Sequence, residues 1–361
     1  MEVRLPKRSF SDALTIIERI IPTRSSNAVL TQLWVEARPE GLLLRGSNGE
    51  IDLEITVPAE VSGEGVRLVP GQLIGQVVRN LPGELVEMVL TDKELNLESG
   101  NFSTRLATGD PDDYPRFNFA GEEFVRLPAA ELARAIQRVR YAASNEDYRA
   151  IFRGVQVELH PGRLRTVASD GFRLALYDLA RPLEEQKRFV VPARSADEII
   201  KVLDRAEGEV GLGVEGGHLT LTAAGFRLVV ALMEGEFPEY ERVIPDNFVF
   251  DARVDAPALR DSLKRVKVLA DRNNHRVDLV FADGGLQVVA EGELGRGVER
   301  LEVEAPDDAE MTLAYNAEYL LDALGPVAGT ARLRFSGAAS ASVIQDAEDE
   351  GYLAVVVPLR V

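Results

Sequence analysis

The stretch GEFPEYERV, residues 235–243, has an altered copy, GDPDDYPRF, at residues 109–117. In both stretches a glycine and an acidic residue lead through proline to a tyrosine, and an arginine follows two places later. The two tyrosines, Tyr114 and Tyr240, are 126 residues apart. That spacing is too long for a solenoid repeat and indicates that a whole small domain is duplicated in the chain.

A first helix is predicted in each of three copies, because apolar residues recur at i, i+3, i+4 and i+7. These residues are Phe10, Ala13, Leu14 and Ile17 in the first copy, Leu132, Ala135, Ile136 and Val139 in the second, and Leu259, Ser262, Leu263 and Val266 in the third. Pro128 and Pro257 lie where the second and third of these helices are expected to begin, a position that tolerates proline.

Paired strands around a glycine-rich turn follow each first helix. The pairs Asn48-Gly49 and Asp170-Gly171 are strong signals for a β-hairpin in the first two copies. A second helix comes next, with apolar residues Val77, Val78 and Leu81, then Ile199, Ile200 and Leu203, then Leu320, Leu321 and Leu324. Ser195 and Glu198 predict a capping box at the second of these helices, and a final pair of strands closes each copy.

The order helix, strands, helix, strands thus recurs three times, with a period near 122 to 127 residues. We predict an α+β fold of three repeated domains, each with two helices packed on one face of antiparallel sheet. The predicted domains are residues 1–120, 121–246 and 247–361.

Composition excludes much enzyme chemistry. The chain has no cysteine and only three scattered histidines, so thiolate nucleophiles, disulfides and cysteine-bound zinc are absent. No apolar run approaches the length of a membrane span, and the stretch MEVRLPKRSF lacks the apolar segment of a signal peptide. We therefore expect a cytoplasmic protein.

Basic residues recur on the polar face of two first helices. Arg134 and Arg138 lie at i, i+4 in the second copy, and Arg260, Lys264 and Lys267 share a face in the third. Each face alone fits a solvated surface, but two equivalent basic faces in a chain of net charge −18 favour a polyanionic partner.

No catalytic, metal or cofactor site stands out. Asp170 belongs to a turn motif, and the glycines of GEVGLGVEGG do not lie between the strand and helix of a dinucleotide site. Asp110, Asp112 and Asp113 fit a solvated loop better than a metal site. A metal-dependent hydrolase using these three carboxylates stays open as a minor alternative.

Four segments resemble a known family. The stretches RTVASDGFRLALYDL (165–179), GEFPEYERVIP (235–245), YNAEYLLDAL (315–324) and VVVPLRV (355–361) are similar to signature segments of the bacterial DNA polymerase III beta subunit, the sliding clamp. The resemblance spans the whole chain, with the segments in family order. It implies a noncatalytic processivity factor without a cofactor, which tethers a polymerase to DNA.

The resemblance also implies a head-to-tail homodimer that closes a ring of six domains around duplex DNA. The family's interface positions fall on Thr104, Leu106, Val268 and Leu269, and Thr104 lies where the family can carry an aromatic residue. The residues expected to face DNA are Arg24, Arg134, Arg138, Arg260, Lys264 and Lys267. Glu146 lies where a family member carries a DNA-contacting glutamine.

A second family site is an apolar groove between domains 2 and 3 for short peptides from polymerases, the clamp loader and repair proteins. Carried over, its lining is Phe152, Ser169, Gly171, Phe172, Arg173, Leu174, Pro238, Arg242, Val243, Asn316, Tyr319, Ser340, Ser342, Val355, Val357, Leu359 and Arg360. Phe172 replaces a frequent histidine, and Val357 and Leu359 replace frequent methionines, which makes the groove less adaptable.

Other interpretations of the same residues stay open. Val355, Val357 and Leu359 alternate as any half-buried strand does, Asn316 could cap its helix, and Tyr319 could belong to a core. A repeat scaffold that binds proteins but not DNA is the alternative function.

Overall fold

The computed structural model describes residues 1–116, 121–146, 150–293 and 295–360. In these residues one order of elements recurs three times: a strand, a helix, four strands, a second helix and three strands, with one additional short strand in the first copy. The prediction that each copy begins with its helix is wrong. A strand of five or six residues leads directly into each first helix, and the alternation of apolar and polar residues in FDARVD (250–255) is the signal that could have identified it.

The first copy contains nine strands and two helices in the described residues. They are β1 (Glu2–Pro6), α1 (Lys7–Ile17), β2 (Gln32–Arg38), β3 (Gly41–Ser47), β4 (Ile51–Val57), β5 (Glu60–Ser62), β6 (Gly65–Pro70), α2 (Gly71–Arg79), β7 (Leu85–Leu90), β8 (Glu94–Ser99) and β9 (Phe102–Ala107). Short 3₁₀ helices lie at Ala28–Thr31 and Pro111–Asp113.

The second copy repeats this order without the additional strand. Its elements are β10 (Glu123–Pro128), α3 (Ala129–Arg140), β11 (Gly154–His160), β12 (Arg163–Ser169), β13 (Arg173–Ala180), β14 (Lys187–Pro192), α4 (Ala193–Leu203), β15 (Glu209–Glu215), β16 (His218–Ala223) and β17 (Phe226–Ala231). Its 3₁₀ helices lie at Ala150–Arg153 and Tyr240–Val243.

The third copy ends the chain. Its elements are β18 (Phe250–Asp255), α5 (Ala256–Lys267), β19 (Arg276–Ala282), β20 (Gly285–Gly292), β21 (Gly295–Leu301), β22 (Met311–Asn316), α6 (Ala317–Leu324), β23 (Thr330–Phe335), β24 (Ser342–Asp346) and β25 (Tyr352–Val356).

The apolar faces predicted for the three first helices are confirmed. All four residues named for each of α1, α3 and α5 are buried. The second helices agree less well: α4 buries its three predicted residues, but α2 buries Ile74 and Val78 and leaves Val77 partly exposed. The helix ends at Arg79, so Leu81 is buried beyond it.

The capping box predicted at α4 is wrong. Pro192 ends β14 and the helix begins at Ala193, so Ser195 lies inside the first turn, 1% exposed. The carboxylate of Glu198 instead pairs with Lys201 at 2.7 Å and with Arg19 at 3.0 Å. A strand that turns directly into a helix leaves no separate capping residue at position 195.

The chain forms two compact units. Unit 1 contains Met1–Ala133 and Asp197–Leu232, and unit 2 contains Arg134–Ala196 and Met233–Val361. Strands of the second copy therefore contribute to both units.

Unit 1 contains two antiparallel sheets. One has the strand order β5-β1-β7-β8-β9, and the other has the order β10-β15-β16-β17-β4-β3-β2-β6. The larger sheet joins two copies of the repeat, because β17 pairs with β4 and places Leu228 opposite Leu53.

Unit 2 has the corresponding arrangement. Its larger sheet has the order β14-β11-β12-β13-β25-β24-β23-β18, and its smaller sheet has the order β21-β20-β19-β22. Here β13 pairs with β25, which places Leu174 opposite Val355. In both units the last strand of one copy thus pairs with the strand that follows the predicted hairpin turn of the copy before it.

The two predicted hairpin turns are confirmed. Asn48 lies between β3 and β4, and its Oδ1 accepts hydrogen bonds from the backbone amides of Glu50 and Ile51. Asp170 makes the same pattern between β12 and β13 with the amides of Phe172 and Arg173. The glycine after each has a φ near +90°, a conformation that disfavours other residues.

Candidate functional site

All seventeen residues predicted for the peptide groove lie in unit 2. They come from separate segments: the 3₁₀ helix before β11, the β12–β13 turn, the exit segment at 235–243, the start of α6, the residues leading into β24, and β25 with the chain that follows it. The fold therefore places residues from the second and third copies in one compact unit.

These residues range from buried to exposed, and Arg173, Asn316, Tyr319 and Leu359 are intermediate. Phe152, Leu174 and Val355 belong to one core cluster and are 6%, 2% and 2% exposed. By contrast, Phe172 is 54% exposed and Val243 56% exposed. Val357, Pro238, Arg242, Ser340 and Arg360 are exposed as well. Large apolar side chains exposed above an apolar base are typical of a protein-binding surface.

Arg173 fastens the β12–β13 turn to α6. Its Nε donates to Asp170 Oδ2 at 3.0 Å, its Nη1 to Asp322 Oδ2 at 2.5 Å, and its Nη2 to the Tyr141 carbonyl at 2.9 Å. The guanidinium carbon lies 4.6 Å from the ring centre of Tyr319, within cation–π range. The Arg173 side chain is only 11% exposed. Its guanidinium therefore makes these contacts largely away from solvent.

Two alternatives raised by the sequence are decided at the start of α6. Asn316 caps this helix, since its Oδ1 accepts from the Glu318 amide at 2.9 Å. Tyr319 is partly exposed rather than part of a core, and its ring stacks on Phe172 with 6.5 Å between ring centres. The two aromatic rings therefore lie together at the surface of unit 2.

Backbone hydrogen bonds hold the chain after β25 in place. The Val357 amide donates to the Phe172 carbonyl at 3.0 Å, and the Leu359 amide donates to the Ala314 carbonyl at 2.7 Å. Nearby, the buried Ser342 hydroxyl lies 2.5 Å from the hydroxyl of Tyr315. The alternation expected of a half-buried strand is not found, because Val355 and Val357 would share one face of such a strand, yet Val355 is buried and Val357 is exposed.

The repeated exit segment has a structural role in both copies. Tyr114 is buried, and its hydroxyl accepts a hydrogen bond from the Ser47 amide at 3.1 Å. Tyr240 is also buried, and its hydroxyl donates to Glu158 Oε1 at 3.0 Å. Burial raises the pKa of Tyr240 well above its ordinary value, so the hydroxyl stays a donor. In each copy the tyrosine anchors the exit segment.

The cations expected to face DNA differ in how far they are engaged. Arg24, Arg134 and Lys264 are exposed, and Lys264 has Asp261 at 3.2 Å. Arg138 donates to the Pro326 carbonyl at 2.7 Å, and Lys267 pairs with Glu318 at 2.8 Å.

Arg260 and Arg138 both serve the internal structure of unit 2. Arg260 Nη1 donates to the carbonyls of Leu324 and Val327, at the end of α6. The guanidinium of Arg138 also lies 3.3 Å from a carboxylate oxygen of Asp349. Their positive charges contribute to the potential at the surface, but some of their N–H groups already donate to backbone carbonyls of the protein. Glu146 is exposed.

The positions expected at a dimer interface lie at an edge strand and after a helix. Thr104 and Leu106 lie in β9, which is the edge of its sheet. Val268 and Leu269 follow α5, and Val268 is 80% exposed.

The three aspartates near residue 110 form a turn. Asp110 accepts from the Asp112 amide and caps the 3₁₀ helix at Pro111–Asp113. Among the described residues, no group of three histidine, aspartate or glutamate side chains could hold a metal ion. No helix in the described part of the chain is long and apolar enough to cross a membrane.

Comparison with known families decides between the interpretations. Models of the N-terminal, central and C-terminal domains of the DNA polymerase III beta subunit match residues 1–118, 126–239 and 241–360, in that order. The chain belongs to the DNA polymerase III beta subunit family. Each model of this family covers one copy of the repeat.

Relatives of the same family align over nearly the whole chain. A beta sliding clamp of Pseudomonas aeruginosa is 27% identical over 371 residues and is covered completely, as is this chain. One of Vibrio cholerae is 26% identical over 342 residues, with 93% of each chain covered.

Solved structures of beta subunits have the same fold. A sliding clamp of P. aeruginosa bound to griselimycin gives a TM-score of 0.95 at 25% identity, with both chains covered completely. The beta subunit of Thermotoga maritima gives 0.92 at 28% identity, with 100% of this chain and 99% of that chain covered.

Several residues that support the candidate groove were missed at the sequence level. Tyr141 and Asp322 hold Arg173, and Glu158 holds Tyr240. Asp322 lies within one of the family-like segments, and Glu158 is a charged residue in an otherwise largely apolar strand. A buried charge of this kind needs a partner, but the sequence does not identify that partner.

Proposed function

We propose that this chain is a DNA sliding clamp, a noncatalytic processivity factor that encircles duplex DNA and tethers the replicative polymerase. The observation that carries the proposal is the match of all three family domains, in order, along one chain whose relatives are beta sliding clamps over their whole length. The predicted domains 1–120, 121–246 and 247–361 are proposed as the three clamp domains.

Unpaired strand edges support a head-to-tail homodimer. Within the chain, β17 pairs with β4 and β25 pairs with β13, so two of the three repeat-to-repeat junctions are made. The strands left for a third junction are β9 and β21, and both are sheet edges in the described residues. Exposed edges favour pairing with another chain. If β9 of each protomer pairs with β21 of its partner, a two-fold axis closes the ring.

The predicted interface side chains lie on β9 or directly after α5. Leu106 lies in β9, and Val298 of β21 is 48% exposed. Thr104, Val268 and Leu269 complete the proposed contact. The ring predicts a native mass near twice the chain mass of 39.6 kDa.

Sequence-independent phosphate contacts would suit a clamp that moves along DNA. We assign this role to the exposed side chains of Arg24, Arg134 and Lys264. The charges of Arg138, Arg260 and Lys267 add to the positive potential at this surface. A few salt-sensitive contacts give little net affinity, so the ring is retained by topology. The net charge of −18 disfavours tight binding over the rest of the surface.

The groove residues of unit 2 are proposed to take short peptide segments of partner proteins. Phe172, Val243 and Val357 supply exposed apolar contacts, and the buried base fixes their positions. The proposed partners are the DNA polymerase III catalytic subunit, the clamp loader and other proteins with a clamp-binding segment. The protein is proposed to act in the cytoplasm, where bacterial DNA is replicated.

Retention on DNA of different topology tests the function. Labelled protein is loaded on nicked circular DNA by the clamp loader, freed of unbound protein, and half of the sample is cut with a restriction enzyme. We expect the protein to stay on the circles and to leave the linear molecules. Equal retention on both would contradict an encircling ring.

A further inference from the structure

The hydroxyl of Tyr240, in the exit segment, lies between two charged side chains, Glu158 and Arg165. Its hydroxyl donates to Glu158 Oε1 at 3.0 Å and accepts from Arg165 Nη1 at 3.3 Å. Tyr240 is 4% exposed and Glu158 6% exposed. Hydrogen bonds to charged groups at a buried site are stronger than those between neutral groups.

These two charged side chains lie on paired strands. Glu158 of β11 lies opposite Arg165 of β12, and Arg165 lies opposite Asp178 of β13. Arg165 donates to both oxygens of Asp178, at 2.7 and 2.6 Å. The second oxygen of Glu158 lies 2.8 Å from His160 Nε2. Glu158 and Arg165 thus each have a further partner on the sheet, and these contacts fix the positions of the two side chains that bond Tyr240.

Apart from Glu241, whose 61% exposed side chain lies 3.9 Å from Arg165 Nη1, the other inward contacts of the exit segment are apolar. Phe237 lies edge-on to Tyr240, with ring centres 6.3 Å apart, and edge-on to Phe152 at 6.1 Å. Ile244 packs against the same core cluster. Apolar contacts constrain direction less than buried hydrogen bonds do, and an exposed ion pair contributes little. The main directional constraint on the segment therefore comes from the Tyr240 hydroxyl.

The outward side of the segment is the proposed groove wall. Pro238, Arg242 and Val243 are exposed, and Arg242 pairs with Glu239 of the same segment at 2.5 Å. That ion pair does not tie the wall to the sheet. The position of the wall therefore depends on what holds Tyr240.

The first copy of the exit segment offers a comparison within the chain. Tyr114 is equally buried, but its hydroxyl accepts from a backbone amide, that of Ser47. Tyr114 belongs to unit 1 and the groove residues to unit 2. A substitution at Tyr114 thus removes a buried tyrosine hydroxyl without touching the groove.

We propose that Tyr240 is a positioning residue of the peptide groove. Its hydroxyl, held between Glu158 and Arg165, sets the place of Pro238, Arg242 and Val243 and so determines peptide affinity without contacting the peptide. The inference rests on the proposed function, because it concerns the same groove.

The test compares Tyr240→Phe with Tyr114→Phe in the full-length protein. Each variant loses one buried hydroxyl, and neither tyrosine belongs to the proposed dimer interface. The peptide probe is a fluorescein-labelled copy of the clamp-binding segment of the polymerase III catalytic subunit, followed by fluorescence anisotropy. Amide hydrogen exchange over residues 237–244 and the Tm are measured on the same samples.

We expect Tyr240→Phe to weaken peptide binding by about fivefold or more and to speed exchange across residues 237–244. Tyr114→Phe should leave the peptide affinity and the exchange rates unchanged. Both variants should lower the Tm by similar amounts, because each loses one buried hydroxyl. Unchanged peptide affinity in Tyr240→Phe, or equal weakening in both variants, would overturn the proposal.

The same experiment separates this inference from the function on which it rests. A wild-type protein that does not bind the peptide would refute the groove. Hydrogen exchange over 237–244 would still decide whether the hydroxyl of Tyr240 holds the segment, since unchanged exchange in Tyr240→Phe refutes the positioning role directly.

Discussion

Replacing Arg173 by alanine tests whether a buried ion network holds the two sides of the groove together. The guanidinium joins Asp170 of the β12–β13 turn to Asp322 of α6, and it also bonds the Tyr141 carbonyl. Removing it leaves a buried carboxylate and a carbonyl without this donor. We therefore expect local unfolding around the turn and α6 to become easier.

The magnitude follows from the exposure of each partner. Removing one member of a buried ion pair costs about 3–5 kcal/mol. Asp170 keeps two backbone amide donors, and the side chain of Asp322 is 45% exposed and can be hydrated. We therefore expect the lower end, a loss of about 3 kcal/mol in the free energy of local opening.

Amide hydrogen exchange measures that opening free energy in each segment, which a single unfolding transition of a multidomain chain does not. The matched control is Arg126→Ala. Arg126 also donates to both oxygens of a carboxylate, that of Glu123, but its side chain is 50% exposed. An exposed pair of this kind contributes little, so no measurable change is expected in the control.

A loss of less than about 1 kcal/mol in the opening free energy of residues 165–179 and 315–324 in Arg173→Ala would contradict a stabilising role of this network. An equal effect of Arg126→Ala in its own surroundings would also contradict it, because burial would then not be what distinguishes the two pairs.

Two further predictions concern the DNA face and the groove turn. Arg134→Ala and Lys264→Ala should each reduce the slope of log affinity against log salt by roughly one in duplex binding, whereas Arg138→Ala should mainly lower the Tm; identical slopes in all three variants would contradict the assignment. Gly171→Val, at a φ of +90°, should lower the free energy of unfolding by on the order of 1–2 kcal/mol and weaken peptide binding. Gly49→Val, at a φ of +91°, should lower the Tm without affecting peptide binding. Equal peptide affinities of the two variants would show that the turn does not shape the groove.

The sequence predicted the repeat, the buried faces of the three first helices and the two hairpin turns. These features depend on residues close together in the chain, such as Leu132 and Ile136 on one helix face or Asp170 and Gly171 in one turn. The capping box at Ser195 failed because the helix follows a strand without a break. The short strands before the first helices were missed, although stretches such as FDARVD (250–255) alternate apolar and polar residues as a half-buried strand does.

The candidate site could be predicted only in part. The family-like segments named the groove residues, but the contacts of those residues depend on pairing between strands far apart in the sequence. Asn316 shows the limit, because it was named for the groove and also caps α6. The basic helices show it too: the sequence gives five cations equal standing, yet Arg138 and Arg260 bond backbone carbonyls while Arg134 and Lys264 remain exposed.

By itself, the sequence determined that this protein has three copies of one α+β unit, two of them with a basic helix face, and no cysteine chemistry. Periodicity, turn residues and composition are local properties that survive without knowledge of the fold. The tertiary structure decided which strands join the copies, which cations remain exposed, and what holds each exit tyrosine. Those outcomes depend on long-range strand pairing and on the reach of individual side chains, so Tyr114 and Tyr240 look alike in the sequence and have different partners in the folded protein.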